Sequence, residues 1–151
     1  MNTRQLQSTE RLARSIGRVR RELAARAAVA LERIGTPFVQ WQLVSAIAAE
    51  GLRSQAALAA RVGMDPAGTS RALDTLEAAG LVRRTRDRAD RRRVAVALTP
   101  KGHRWYERAR RIVFGELSPF FVVLSRAETR ALEALLAKLS YSSGSASPGS
   151  V

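Results

Sequence analysis

Residues 54–80, SQAALAARVGMDPAGTSRALDTLEAAG, predict two short helices joined by a tight turn. Ser54 is a favourable N-cap for the first helix, and Gly63 ends it. Asp65 caps the second helix, and Pro66 occupies its first position, where proline is tolerated best. Each helix has one inward apolar face, and on the second helix its residues are spaced at i, i+3, i+4 and i+7. The inward residues are Leu58, Val62, Thr69, Ala72, Leu73 and Leu76. This arrangement is a helix-turn-helix.

After Gly80 the sequence takes the pattern of short strands. Segments 81–86 and 94–98 predict a two-stranded antiparallel hairpin with a polar tip at 87–92. Seven arginines and two aspartates give residues 83–93 a formal charge of +5. A solvated charge run is the usual explanation for such a segment. Its position directly after a helix-turn-helix favours a wing that straddles a nucleic-acid backbone.

The segment before the helix-turn-helix predicts two further helices. The first spans residues 8–34 and ends at Gly35, because apolar residues recur there at alternating spacings of three and four. The second begins with Thr36 as its N-cap and Pro37 at its first position, and runs to Gly51. The apolar stripe of the first helix is Leu12, Ile16, Val19, Leu23, Ala27, Ala30 and Ile34.

The segment after the hairpin also predicts two helices. Thr99 and Pro100 repeat the start signal and open a helix over 100–118, which Ser118–Pro119 interrupts or bends. Ser125 and Glu128 form a capping box within a last helical region at 119–140. Its stripe is Leu132, Leu135, Leu136 and Leu139. Because Ser, Gly and Pro dominate residues 141–151, we expect a disordered tail there.

Composition narrows the class of protein. The 151 residues fit about one domain, and 26 Lys and Arg against 13 Asp and Glu give a formal charge of +13. This charge points to a polyanionic partner, most often nucleic acid and less often a membrane surface. There is no apolar run of membrane-spanning length and no apolar signal core at the start. We expect a cytoplasmic protein that does not bind membranes.

Enzymatic function is disfavoured. His103 is the one histidine and there is no cysteine, so multi-histidine and thiolate metal sites are excluded. The common nucleotide-cradling glycine motifs are also missing. A Ser–His–Asp triad is compatible with the composition, but nothing in the sequence places one. We therefore expect no enzymatic activity, no metal and no cofactor.

Several strings resemble the MarR family of bacterial transcriptional regulators across residues 8–140. They are TPFVQW at 36–41, Leu58-Ala59, LEAAGLV at 76–82, DRADRR at 87–92 and LTPKG at 98–102. The two last strings together are specific to the family, whereas LEAAGLV is shared with other winged helices. The resemblance implies a mainly α fold with a small β-hairpin wing, that is, a winged helix-turn-helix with a helical dimerisation region formed by the N- and C-terminal helices.

The resemblance also implies a division of labour along the chain. Residues 8–34 and 119–140 would form the dimerisation helices of a homodimer, 36–99 the DNA-binding domain and 100–118 a connecting helix. A two-fold dimer would place two recognition helices on half-sites about 10 bp apart, on a pseudo-palindromic double-stranded DNA. The apolar stripes of the first and last helices agree with a homodimer, because they need a partner surface.

The expected DNA-binding residues lie on the second short helix and the hairpin. On the helix, Ala67, Ser70, Arg71 and Asp74 face away from the core, and its N-terminal end would enter a major groove. At the wing tip, Asp90 can orient Arg92 into the minor groove, or the two form only a weak exposed ion pair. The full expected set is Ser54, Ala67, Ser70, Arg71, Arg84, Arg86, Arg88, Asp90 and Arg92. Gly68 either allows close approach of its backbone to DNA or is simply a tolerated first-turn glycine.

Many members of the family respond to a small aromatic or phenolic acid. By position, such an effector would contact Arg18, Phe38, Trp41 and His103, since arginine and an aromatic wall suit an aromatic carboxylate. The alternative is that Phe38 and Trp41 are core residues. Oxidant sensing through cysteine is closed, because the chain has no cysteine.

Three hypotheses of function follow. The first is a sequence-specific regulator of transcription, with repression favoured over activation. The second is a non-specific architectural nucleic-acid-binding protein that relies on the +13 charge and binds in a wholly salt-controlled way. The third, a small enzyme or a membrane-surface protein, lacks a metal-ligand set and a basic amphipathic anchor. The helix-turn-helix and wing favour the first.

Overall fold

The computed structural model describes residues 2–86 and 94–144 and confirms a mainly helical fold with a small hairpin. The described residues form, in chain order, α1 (Thr3–Glu32), α2 (Phe38–Ala49), α3 (Gln55–Val62), α4 (Pro66–Ala78), β1 (Val82–Arg86), β2 (Val94–Leu98), α5 (Pro100–Phe121) and α6 (Arg126–Gly144). Contacts divide the chain into two compact units, Met1–Glu116 and Leu117–Val151.

The core of the first unit lies between α2, α3, α4 and the hairpin. Apolar side chains from these elements bury one another, which is the main favourable contribution to folding. The fully buried members are Leu43, Val44, Leu58, Leu73, Leu76 and Val96. The predicted inward residues Leu58, Leu73 and Leu76 are therefore confirmed as core.

Local hydrogen bonds fix the two short helices as predicted. Ser54 caps α3, because its Oγ accepts the main-chain N–H of Ala57 at 3.1 Å. Gly63 ends α3 in the left-handed conformation with φ of 69°, which a residue with a side chain rarely adopts. Asp65 caps α4, accepting the main-chain N–H of Gly68 on Oδ1 at 2.7 Å. Both N-caps and the turn between the helices are confirmed.

The two strands pair as an antiparallel hairpin whose register runs from Val82 opposite Leu98 to Arg86 opposite Val94. β2 makes a further pairing on its other side, where the main-chain N–H of Val96 donates to the carbonyl oxygen of Arg53 at 2.7 Å. A β-bridge between Ser54 and Ala95 continues this contact. The segment before α3 therefore joins the edge of the sheet, a pairing that the sequence does not predict. The expected wing tip, residues 87–92, lies outside the described residues.

The starts of the first two helices differ from the prediction. α1 begins at Thr3 rather than near residue 8, because Asn2 caps it and accepts the main-chain N–H of Arg4 at 3.0 Å. The expected N-cap Thr36 is wrong for α2, whose N-cap is Pro37 with an extended backbone. Thr36 is buried, and its main-chain N–H donates to the Leu31 carbonyl oxygen at 3.0 Å. Thr36 thus belongs to the turn that ends α1.

Two differences concern the end of the chain. α5 continues through Pro119 to Phe121, because a proline near the end of a helix removes only one main-chain hydrogen bond. An interruption at Ser118–Pro119 is therefore wrong, whereas the alternative of a bend there stays a prediction. The capping box of α6 is confirmed, with mutual hydrogen bonds between Ser125 and Glu128 at 2.8 and 3.3 Å. α6 extends to Gly144, so residues 141–144 are helical where the sequence predicts a tail.

Two helix faces leave apolar side chains exposed in the single chain. On α1 these are Leu6, Leu12, Ile16 and Val19. On α6 they are Leu132, Leu135, Leu136 and Leu139. The C-terminal part of α1 behaves differently, since Ala27, Ala30 and Leu31 are buried. Within residues 2–86 and 94–144, no helix is long and apolar enough to cross a membrane.

Candidate nucleic-acid interface

The outward face of α4 carries small and polar side chains. Ala67, Arg71 and Asp74 are exposed and Ser70 is half-buried, while Thr69, Leu73 and Leu76 on the opposite face are fully buried. Burial of one stripe thus orients the other toward solvent. No ion pair holds the Arg71 guanidinium within the part of the chain that the structure describes. Its donors are available to a ligand at this face.

The first turn of α4 is organised around the Asp65 carboxylate. The main-chain N–H of Gly68 lowers the pKa of Asp65, and the charge of Arg71 contributes in the same direction. Gly68 is buried, and a Cβ atom there would lie 3.1 Å from Met64 Cε and 3.2 Å from Asp65 Oδ2. The close neighbours of Gly68 therefore belong to the protein itself. This favours a local packing role and gives no support to close approach of DNA at this residue.

Arg84 of β1 is bound to two carboxylates on α4. Its main-chain N–H donates to Glu77 Oε1 at 2.9 Å, and its Nε donates to Glu77 Oε2 at 2.9 Å. A terminal guanidinium nitrogen reaches Glu77 Oε2 at 2.8 Å and also pairs with Asp74. These contacts lower the pKa of Glu77, through the main-chain bond first, and raise the pKa of Arg84. We call Asp74, Glu77 and Arg84 the α4–β1 clamp.

The other expected DNA-binding residues are only partly visible. Ser54 is exposed next to the sheet edge, but its Oγ is engaged in capping α3. The main chain of Arg86 pairs with that of Val94 at the end of the hairpin. Arg88, Asp90 and Arg92 lie outside the described residues, so the predictions made for them stay predictions.

Side chains at the start of α5 hold the C-terminal end of α4, and the sequence does not predict these contacts. Lys101 Nζ donates to the carbonyl oxygen of Ala79 at 2.7 Å, at the C-terminus of α4 where a cation is favourable. Thr99 Oγ donates to the carbonyl oxygen of Gly80 at 2.6 Å and accepts the main-chain N–H of Gly102 at 3.0 Å. Thr99 therefore caps α5 as expected and also holds the turn after α4.

Two hollows lined by described residues each contain one of the four expected effector-binding residues. Arg18 lines a hollow of about 230 Å³ with other residues of α1. His103 lines a separate hollow of about 390 Å³ with Arg104, Glu107, Arg108 and Arg111 of α5.

The two expected aromatic residues line neither of these two hollows. Trp41 is 7% exposed and stacks on Tyr106, with ring centroids 5.6 Å apart, and its edge faces Phe114. Phe38 is half-buried. For Trp41 the geometry favours the alternative of a core residue.

The α3–turn–α4 pair followed by a hairpin, with Arg53 joining the sheet edge, defines a winged helix-turn-helix protein. Residues 34–93 match the model of the MarR family. This match begins just after α1 and ends at the residue before β2. It confirms the resemblance to the MarR family that the sequence motifs indicate.

Several solved structures share the fold, and MarR from E. coli is among them. The transcriptional regulator BldR from Sulfolobus solfataricus is 28% identical with a TM-score of 0.74, covering 93% of this chain and 99% of its own. A mutant of MarR from E. coli in complex with operator DNA is 25% identical with a TM-score of 0.68, covering 85% and 92%. NadR in complex with 4-hydroxyphenylacetate is 28% identical with a TM-score of 0.70, covering 83% and 89%. No curated protein matches the chain.

Proposed function

We propose that the protein is a sequence-specific transcriptional regulator that binds a pseudo-palindromic operator in double-stranded DNA as a homodimer and represses transcription. The exposed N-terminal face of α4 carries this proposal, because it combines small side chains with an arginine that no described carboxylate pairs. A helix of this kind beside a basic hairpin can lie in a major groove while the hairpin follows the backbone. The similarity to MarR in complex with operator DNA supports it.

The proposed contacts follow from position. Ala67 allows close approach of α4 to the bases, Ser70 and Arg71 supply hydrogen bonds, and Arg71 suits the two acceptors of a guanine. Ser54, at the N-terminus of α3, would meet a phosphate. Arg86 and Arg88 would contact the DNA backbone, and Asp90 would orient Arg92 into the minor groove.

The homodimer is supported by the exposed apolar faces of α1 and α6. Contiguous apolar stripes on a monomer are marks of an interface. With residues 8–34 and 119–140 as dimerisation helices, 100–118 would connect them to the DNA-binding region at 36–99. A two-fold dimer explains why the operator should be pseudo-palindromic.

A small aromatic acid is proposed as the effector that releases DNA. The support is the similarity to NadR in complex with 4-hydroxyphenylacetate. Arg18 and His103 are exposed and would meet the carboxylate, and the half-buried ring of Phe38 would form the aromatic wall. Addition of 4-hydroxyphenylacetate to the protein–DNA complex tests this, because release of DNA at unchanged salt is expected and undiminished binding would contradict it.

Fluorescence anisotropy tests DNA recognition. Binding of the full chain to its own upstream DNA is compared with binding to a scrambled duplex of equal length at roughly 150 mM salt. A preference of about a thousandfold or more is expected for a regulator of this kind. If the two duplexes bind equally, genome-wide selection of bound fragments follows. Equal binding of selected and random fragments would favour the architectural function instead.

A further inference from the structure

The α4–β1 clamp joins the proposed recognition helix to the first strand of the wing. Each Glu77 carboxylate oxygen receives its own hydrogen bond from Arg84, one from the main chain and one from Nε, both at 2.9 Å. The terminal guanidinium nitrogen adds Asp74, one helical turn closer to the DNA-facing end of α4. Three attachments between one strand residue and one helix face restrict rotation of β1 relative to α4.

The clamp also changes the charge of the helix face. Asp74 lies about one helical turn after Arg71 on α4 and Glu77 about one turn further, and both side chains are partly exposed, at 56% and 38%. Two free carboxylates near a DNA backbone would repel phosphates. The Arg84 side chain is 24% exposed and lies against both of them, so its single positive charge offsets one of their two negative charges while its Nε and one terminal nitrogen are occupied.

We propose that Arg84 is a positioning residue, which sets the wing against the recognition helix through Asp74 and Glu77, and that it does not contact a DNA phosphate. This inference rests on the proposed DNA-binding function and replaces the sequence-based expectation that Arg84 contacts DNA. A positioning role and a phosphate contact both predict weaker DNA binding when Arg84 is replaced. They can be distinguished at Glu77, because they predict opposite effects on DNA binding when Glu77 is replaced.

The decisive variant is Glu77→Gln. By simple electrostatics, removal of a negative charge near DNA strengthens binding or leaves it unchanged. A positioning role requires the opposite, because the Gln amide cannot accept from both Arg84 donors. We expect Glu77→Gln and Arg84→Gln each to weaken operator binding at least about fivefold, the lower end of ordinary coupling between linked groups. The double variant should be no weaker than either single variant.

Salt dependence provides the second readout. Loss of one phosphate contact lowers the slope of log K against log salt by about 0.9, whereas a positioning residue leaves it unchanged. Arg84→Lys keeps the charge but not the planar fork, so it should behave like Arg84→Gln. A reduced slope in Arg84→Gln, together with full or increased affinity in Glu77→Gln, would overturn the inference.

The chain offers a matched control in a second ion pair. Arg61 of α3 donates from Nε to both oxygens of Glu50 at 2.9 and 2.7 Å, and this ion pair joins α3 to the end of α2. Glu50→Gln makes the same change of charge in the same domain, and we expect no loss of operator affinity. An equal loss in Glu50→Gln and Glu77→Gln would show a general effect of charge and contradict the inference.

Amide hydrogen exchange separates failure of the inference from failure of the proposed function. If wild-type protein shows no preference for any DNA sequence, the proposed function fails. Amide hydrogen exchange then still tests whether the α4–β1 clamp positions β1. Faster exchange of the Arg84 amide and its β1 neighbours in Glu77→Gln, at an unchanged melting temperature, supports the positioning role. Unchanged exchange in β1 overturns it.

Discussion

Gly102 in the first turn of α5 lies directly against the main chain of Leu81. A Cβ atom added to Gly102 would overlap the Leu81 carbonyl oxygen and lie 2.9 Å from its carbonyl carbon. Leu81 is 5% exposed and links α4 to β1, and its carbonyl oxygen also accepts the main-chain N–H of Thr99 at 3.0 Å. The path of the main chain between the proposed recognition helix and the wing therefore depends on a glycine in a different helix.

Gly102→Ala should destabilise the protein by about 1–3 kcal/mol, because the backbone atoms it meets cannot move aside as a flexible side chain would. Gly115→Ala is the matched control on the same helix, since nothing lies within 4 Å of a Cβ atom there. Its higher helix propensity should stabilise by roughly 0.5–1 kcal/mol. Urea unfolding of both variants measures the difference, and equal effects would show that the contact at Leu81 is unimportant.

Signals confined to a few neighbouring residues were sufficient to predict most of the fold. Ser54 and Asp65 cap their helices through hydrogen bonds that span three residues, so the sequence alone specifies them. The same holds for the box formed by Ser125 and Glu128. The strand segments after Gly80 were equally predictable, because the alternation of side chains along a strand and the turn glycine are both local signals. Such local signals are sufficient to predict where each helix or strand lies.

Contacts between distant segments could not be predicted. The bond from Val96 to the carbonyl of Arg53 joins residues far apart in sequence, and that from Lys101 to Ala79 spans 22 residues. The most consequential case is Arg84, which looked like one arginine of a basic run. Only the fold places it beside Glu77 and Asp74 and turns a DNA-contact candidate into a clamp. Charge patterning does not distinguish these roles.

The Asp65 cap should make stability depend on pH in the acidic range. Its hydrogen bond from Gly68 lowers the pKa of Asp65 below its ordinary value of 3.8. The folded protein therefore binds this proton less readily than the unfolded chain. Stabilisation by the ionised cap is fully present above about pH 3.8 and is lost as the pH falls through the pKa of Asp65 in the folded protein.

Asp65→Asn isolates this contribution, because Asn is an N-cap of similar strength that does not titrate. Its free energy of unfolding should fall less steeply than that of wild-type protein below about pH 4. Residual steepness is expected, since the pKa values of Glu77 and Glu128 are also lowered. Urea unfolding across the acidic range measures both slopes, and identical slopes would contradict the assignment.

Arg71→Ala should relax sequence discrimination, because Arg71 is placed to read bases. A loss of about 1–3 kcal/mol for the operator, with little change for a scrambled duplex, is expected. Arg92→Ala should also weaken operator binding by about 1–3 kcal/mol through the wing. Neither change should move the melting temperature much, since Arg71 is exposed and bonded to no described carboxylate. Anisotropy on both duplexes checks this, and uniform loss for Arg71→Ala would indicate a phosphate contact instead.

The leucine face of α6 predicts how the homodimer can be disrupted. Leu135 is 59% exposed in the single chain, at the centre of the stripe that includes Leu132 and Leu139. Leu135→Glu would bury an unpaired carboxylate in a dimer interface, which costs several times the free energy of an ordinary surface substitution. We expect a shift from dimer to monomer in light scattering.

Ala137→Glu introduces the same carboxylate on the opposite side of α6 and should leave the dimer intact. Because both positions are exposed in the single chain, helix stability should be affected similarly, and only the interface distinguishes them. Loss of operator affinity should accompany dissociation in Leu135→Glu, since one half-site then binds alone. A Leu135→Glu protein that remains dimeric would place the interface on another surface and remove residues 119–140 from the proposed dimerisation region.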